Sequence, residues 1–297
     1  MTWNIEGLKQ HQFVLADVLL SHLPDIVFLS EPLVFQTDIQ SCLNTVQHEY
    51  CHSLNSSDLY DRDLPILKSR AIGGTLALWR RQLDPYISVY PVDTPAFLPL
   101  IVELPGAQTS VHIALYLPTS GKEYEYVSEL ASLKNCLYNL KEKYCNPPIY
   151  VRGDGNSNPK NVARHNLLAS FREEFFLKLV EINHPTYHHF MGGGKYDSNI
   201  DIILFSDPGH ECDQDKNPCH DCSQGEHHGC HRNQVHESVI QIVCKLDCPE
   251  ILSHHHMIIS QLTLPPACPK QVSTDLVRAP RTERPRYRTH WDEAGIV

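Results

Sequence analysis

Seven polar side chains could together bind a cation or an anionic oxygen. Asn4, Glu31, Tyr116, Asp154 and Asn156 stand at or just past the ends of predicted strands, Asp201 lies within one, and His255 precedes the last. Carboxylates ligate hard cations, amide and phenol groups hold anionic oxygens, and imidazole moves protons near neutral pH. Strand ends hold such groups rigidly at a domain edge, where a ligand can enter. Each residue also has an ordinary reading. Glu31 can be a surface carboxylate and Asn4 a turn residue or helix cap. Asp154-Gly155-Asn156 is good turn chemistry. Tyr116 can be a half-buried strand residue, and His255, inside His254-His255-His256, part of a solvated loop. Order along the chain, not any single residue, carries the argument.

A second group is richer in sulfur. Six of the eleven cysteines lie between Cys212 and Cys248. Cys219-x₂-Cys222 has metal-ligand spacing, with Cys212, His227, His228, Cys230 and His231 nearby. A structural Zn²⁺ held by Cys212, Cys219, Cys222 and Cys230 is the sharp reading, and a variable polar insertion the plain one.

The elements that must position these groups alternate. Residues 2–5 are β-prone, and 8–23 repeat apolar residues at helical spacing until Pro24 stops them. A buried-strand run follows at 25–30. Strands are predicted at 74–79, 100–104, 111–116, 149–151, 199–204, 239–243 and 257–262, and helices at 124–144 and 166–176. The polar stretch 207–236 reads as an inserted loop, and 266–297, with its prolines and arginines, as a tail or linker. That leaves residues 1–265 as one α/β domain.

Composition sets limits. A hydrophobic fraction of 41% and a charged fraction of 20% are ordinary for a globular protein, and no apolar run is long enough to span a membrane. The first thirty residues show no secretory signal, so the cysteines are expected as thiols or metal ligands and the protein as intracellular. A net charge of −10 argues against coating nucleic acid through a broad basic face. It leaves room for a metal-dependent nuclease, whose carboxylates are offset by bound cations. The charge is uneven: 266–297 carries six Lys+Arg against four Asp+Glu, and the remainder 19 against 31.

Seven blocks, in order, resemble the endonuclease/exonuclease/phosphatase superfamily. They are TWNIEGL at 2–8, DIVFLSEP at 25–32, GGTLALW at 73–79, IALYLPT at 113–119, YVRGDGNSNP at 150–159, SNIDIILFS at 198–206 and SHHHMII at 253–259. Within it, HPTYHHFMGGGKYDSNID at 184–201 resembles the apurinic/apyrimidinic-type endonuclease domain of non-LTR (LINE-type) retrotransposons. RYRTHWDEAGI at 286–296 resembles the connector toward a reverse transcriptase in such elements.

The resemblance implies a DNase I-like four-layer α/β sandwich, two mixed β-sheets packed face to face with helices outside. It implies a DNA endonuclease using Mg²⁺, with Mn²⁺ as a substitute, DNA as substrate, a nuclear location and no obligate protein partner. Glu31 is expected to bind the metal with Asn4 positioning it, and Asn156 and Tyr116 to hold phosphate oxygens. Asp201 is expected to fix the tautomer of His255, and Thr186 and Ser198 to make lesser phosphate contacts. Either Asp154 or His255 orients or deprotonates the attacking water. Other substrates of the superfamily are phosphoinositides, sphingolipid headgroups and RNA tails; a non-enzymatic relic that binds nucleic acid or protein is the alternative of another class. Three departures from the pattern are visible. His254 stands where the last motif has Asp, only three residues precede Asn4, and Gly155 replaces a larger residue, which is expected to loosen its turn.

Overall fold

Alternating apolar residues in most strands are buried on both faces, the pattern of a sheet covered on each side. In β2 (Ile26–Ser30) Val27 and Leu29 face one cluster while Phe28 faces another. In β4 (Thr75–Arg80) Leu76 and Leu78 join the first and Ala77 and Trp79 the second. These strands form a sheet with β1 (Thr2–Asn4), β3 (Tyr50–Asn55), β13 (Ile240–Leu246) and β14 (Met257–Leu262), in the order β13-β14-β1-β2-β4-β3. Only β1 and β2 run parallel within it. A second sheet has the order β5-β6-β7-β8-β12-β9, from Ile87–Val89, Phe97–Val102, Ser110–Tyr116, Ile149–Asp154, Asp201–Ser206 and Leu177–Leu179. Its single parallel pair is β7 with β8. A separate hairpin joins β10 (Tyr187–Met191) to β11 (Gly194–Ser198).

The sheets meet face to face. Phe28, Ala77 and Trp79 of the first pack with Leu98, Leu100 and Ala114 of the second. Ser30 donates to the Leu115 carbonyl at 2.8 Å and Asn55 to that of Phe97 at 2.8 Å, tying the layers with polar bonds. Helix α1 (Leu8–His22) and the short α2 (Ile39–Cys42) cover the outside of the first sheet. Helices α3 (Glu123–Lys143) and α4 (Val162–Glu174) cover the second. The arrangement is the four-layer α/β sandwich expected. Helix α3 carries Glu123 and Glu125 in its first turn and Lys141 and Lys143 in its last, complementing the helix dipole. Helix α1 ends with Leu23 in the left-handed conformation just before Pro24.

This computed structural model describes residues 1–56, 71–191, 194–206, 240–246 and 253–262. All of them belong to one unit, Met1–Ala267. The Cys/His segment at 207–236, with Cys212, Cys219, Cys222 and Cys230, and the tail at 266–297 lie outside the described residues. No helix among those described is long and apolar enough to cross a membrane.

Several boundaries differ from expectation for local reasons. Helix α4 starts at Val162, not 166, because the side chain of Asn161 caps it by accepting from the Arg164 amide at 3.3 Å. Strand β6 starts at Phe97, three residues early, and runs through Pro99, whose carbonyl still accepts from Tyr90. Strands β3, β5, β9, β10 and β11 are short or polar and had no clear signal.

Candidate active site

The topology gathers one edge of both sheets. Because β1 and β2 are parallel, Asn4 pairs with Ser30 at their C-terminal ends, and Glu31 comes next. Because β7 and β8 are parallel, Tyr116 pairs with Asp154. Strand β12 is antiparallel to β8, so it begins where β8 ends, and Asp201 pairs with Asp154. Strand β14 is antiparallel to β1, so the residues preceding Met257 open at the same edge. Two parallel pairs and two antiparallel returns thus bring six segments to one place.

Asn4 is the hub. Its Nδ2 donates to Asp154 Oδ2 at 3.0 Å and Glu31 Oε1 at 3.3 Å and lies 3.3 Å from His255 Nε2. Its backbone is pinned too, since Ser253 Oγ donates to the Asn4 carbonyl at 2.8 Å. Nδ1 of His255 lies 2.9 Å from Asp201 Oδ2, and Nε2 lies 3.9 Å from Asp154. Asn4, Asp154, Asp201 and His255 are all buried, while Glu31 is half-buried. Glu31 has φ +51°, the left-handed region that a non-glycine residue holds only at a cost. Its amide donates to the Gly74 carbonyl at 3.0 Å, which supports that turn.

Electrostatics follow from this crowding. Burial raises the pKa of Asp154, and Asp201 and Glu31 push the same way, against His255 and the Asn156 amide. Burial opposes a charged His255, but Asp201, by charge and hydrogen bond, and then Asp154 and Glu6 outweigh it and raise the imidazole to about 9. Burial and the neighbouring Glu31 carboxylate push Tyr116 far up, so its hydroxyl stays a donor. Among the described residues no Lys or Arg is bonded to Glu31, Asp154 or Asp201. Three carboxylates facing one imidazolium leave excess negative charge and hard oxygen donors, a set that fits a divalent cation of the Mg²⁺ type. Ligand atoms of Asp154, Asp201 and His255 lie within 4.8 Å of one another.

The remaining expected residues sit differently. The Asn156 amide donates to Asp154 Oδ1 at 2.8 Å, and its side chain donates to the Leu117 carbonyl at 2.7 Å, which leaves one side-chain N–H to spare. Thr186 is buried behind Asp201. Its Oγ1 accepts from the Asp201 amide at 3.1 Å and the Ile200 amide at 3.3 Å, so it supports the start of the strand that carries the acid. Ser198 Oγ is buried without a hydrogen-bond partner. At Gly155 a Cβ would lie 3.1 Å from Ile202 Cδ1, and the Gly155 amide donates to the Ile200 carbonyl at 2.9 Å. Of the three histidines at 254–256, His255 meets Asp201. His254 turns instead to Glu6, with its amide 2.6 Å and its Nδ1 3.2 Å from Oε2.

Sequence reasoning missed several supports. Glu6 clamps the segment that carries His255. Gly153 has φ +141°, and a Cβ there would lie 2.0 Å from the Leu115 carbonyl, so only glycine lets β8 lie against β7 just before Asp154. Arg164 is 1% exposed and donates to the carbonyls of Pro118 at 2.6 Å, Thr119 at 2.7 Å and Asn156 at 3.2 Å, and to Glu123 at 2.7 Å. Its guanidinium lies 4.3 Å over the Tyr126 ring. An arginine just ahead of the predicted helix looks like a solvated charge; nothing local signals its burial.

Comparison with known proteins agrees on architecture. No family model matches the chain, and no curated protein sequence does. Among solved structures, the AP endonuclease LMAP from Leishmania major is similar with a TM-score of 0.53 at 13% identity, over 69% of this chain and 78% of that one. The human Nocturnin catalytic domain with bound sulfate is similar with a TM-score of 0.52 at 14% identity, over 88% of this chain and 93% of that one. The endonuclease domain of TRAS1, a telomere-specific non-LTR retrotransposon, reaches a TM-score of 0.48 at 16% identity, over 69% and 83% of the two chains. At these identities the likeness is one of fold.

Proposed function

We propose that this chain is a divalent-metal phosphodiesterase of the endonuclease/exonuclease/phosphatase superfamily that nicks DNA, with residues 1–265 as the catalytic domain. One observation carries the reading: Asn4, Glu31, Asp154, Asp201 and His255, from five distant segments, form a single hydrogen-bonded cluster at one sheet edge. The fold shared with an AP endonuclease supports it, as do the seven ordered blocks and the stretch at 184–201.

A phosphodiester is anionic, so catalysis must neutralise charge, activate water and stabilise the leaving oxygen. Glu31, positioned by Asn4, would hold Mg²⁺ or Mn²⁺, which when bound supplies Lewis-acid polarisation of a phosphate oxygen. The chain's own groups do the rest. Asp201 accepts from Nδ1 of His255 and fixes the ring. An imidazole raised to about 9 is charged at neutral pH, so His255 presents a proton on Nε2 and stabilises developing negative charge. Asp154 borders the same space and is placed to take the proton of the attacking water. Tyr116, kept protonated, and the spare N–H of Asn156 would donate to non-bridging phosphate oxygens. DNA is then the partner, in keeping with a nuclear location.

The test is conversion of supercoiled plasmid to nicked circles by the full chain in Mg²⁺. Activity should vanish with a chelator and in Glu31→Ala and His255→Ala. Nicking that survives both substitutions would refute the site. Phosphate release from inositol lipids with intact plasmid would move the substrate elsewhere in the superfamily, and metal binding without turnover on any phosphodiester would identify a relic.

A further inference from the structure

The end of β1 and the segment before β14 each carry a group of the proposed centre, yet little strand pairing joins them. Thr2 and Ile258 are the one pair in register between β1 and β14, so Asn4 and His255 lie beyond the ladder. Side chains bridge the gap instead. Ser253 Oγ donates to the Asn4 carbonyl at 2.8 Å and accepts from the His255 amide at 3.1 Å. Glu6 supplies a second tie. The His254 amide donates to Glu6 Oε2 at 2.6 Å, and Nδ1 of the same histidine lies 3.2 Å from Oε2 and 3.3 Å from Oε1.

Taking Asn4 and His255 as groups of the phosphodiesterase centre proposed above, we infer that Glu6 is a positioning residue that sets the spacing between the Asn4 amide and the His255 ring. Its backbone acts on one partner and its side chain on the other. The Glu6 amide donates to Asn4 Oδ1 at 3.2 Å. That bond fixes which way the side-chain amide of Asn4 points. Nδ2 faces Glu31, Asp154 and His255, whereas a flipped amide would turn its oxygen toward two carboxylates. The Glu6 carboxylate, through the His254 amide, holds the backbone one residue before His255. A carboxylate accepting from a backbone N–H makes a short, strong bond, in keeping with the 2.6 Å separation.

Asp201, 2.9 Å from Nδ1, fixes the rotation of the His255 ring; Glu6 and Ser253 fix where its backbone stands. Glu6 holds φ +47°, the left-handed region that a non-glycine residue enters only at a cost. Glycine would make that turn without strain but would leave His254 untied. Both carboxylate oxygens of Glu6 are turned to His254, so its influence on the reaction passes through position. Position matters because an error of about 1 Å in a catalytic group costs on the order of 10²-fold in rate.

Steady-state DNA nicking by the full chain with Mg²⁺ varied, beside crystal structures of the same proteins, tests this role. In Glu6→Ala, kcat should fall by about 10–100-fold, with KM and the Mg²⁺ concentration for half-maximal rate each within about twofold of wild type. Glu6→Gln keeps an acceptor for the His254 amide and should recover part of the loss. The separation of Asn4 Nδ2 and His255 Nε2, 3.3 Å in the wild type, should widen in Glu6→Ala by at least about 0.5 Å, the tolerance of a catalytic constellation. Should Glu6→Ala fail to fold by circular dichroism, Glu6→Gly replaces it. A raised Mg²⁺ requirement with unchanged kcat would make Glu6 a metal ligand and overturn the positioning role. An unchanged separation, or a lower melting temperature with full kcat, would overturn it too. A wild type that cuts no phosphodiester would refute the enzymatic reading instead, and the separation alone would then decide the role of Glu6.

Discussion

Arg164 offers a test whose first readout, stability, does not depend on any assumption about substrate. Its guanidinium closes three carbonyls, of Pro118, Thr119 and Asn156, and the Asn156 carbonyl belongs to the turn whose side-chain amide is proposed to donate to phosphate. Arg164→Met keeps most of the stem's volume and removes every donor. Three partly buried acceptors then lose their partner, at about 1 kcal/mol each at the low end. The stack on Tyr126 adds about 0.5–2 kcal/mol. The pair with Glu123 contributes little, because that carboxylate is 58% exposed and returns to water. The total, about 3–5 kcal/mol, matches the usual cost of stripping one partner from a buried charged cluster. For a domain of this size it lowers Tm by about 6–20 °C. Arg164→Lys, which keeps a charge and one or two bonds, should fall between. Calorimetry measures the first quantity, and plasmid nicking at a temperature where the variant is folded measures the second. Nicking should fall as well, since the Asn156 turn is no longer held. A melting temperature within about 2 °C of wild type would refute the bonding scheme, given about 2–4 °C per kcal/mol. Full nicking in a destabilised protein would refute the link to Asn156.

Two further outcomes are expected. Gly73 has φ +63°, and a Cβ there would lie 2.8 Å from Tyr116 Cε1. Gly73→Ala should therefore cost about 1–3 kcal/mol by denaturant midpoint and displace the Tyr116 ring, cutting activity more than Gly106→Ala, where φ is also positive but space is open. His112 is buried against Tyr150, and burial, then Arg152, lower its pKa to about 3. The unfolded chain, with a value near 6.5, takes the proton first. The stability this residue confers is complete above about pH 6.5 and falls as pH drops toward 3, by up to ~1.4 kcal/mol per pH unit. His112→Asn should flatten the decline between pH 6.5 and 5 by about one proton's worth of slope, and equal slopes in the two proteins would disprove the assignment.

Local pattern alone decided the long elements and which residues are polar at their ends. The apolar period of 124–144 and the buried run at 25–30 reappear as α3 and β2 because each satisfies its own backbone hydrogen bonds or buries its own face. Short strands such as Leu177–Leu179 and Tyr187–Met191 were not legible, because three to five residues carry too little pattern and exist only through their partners. The candidate residues at 4, 31, 154, 201 and 255 could be singled out one by one from strand ends. Their meeting could not, since it depends on strand direction: two parallel pairs and two antiparallel returns place them at one edge. Burial of Arg164 and the backbone contact that demands Gly153 are likewise long-range facts, invisible in neighbouring sequence. The same holds for His254, which reads as a lost aspartate along the chain and becomes a partner of Glu6 only when β14 returns beside β1. Sequence determines what each segment wants to bury; only closure of both sheets determines which unpaired charges are left facing one another.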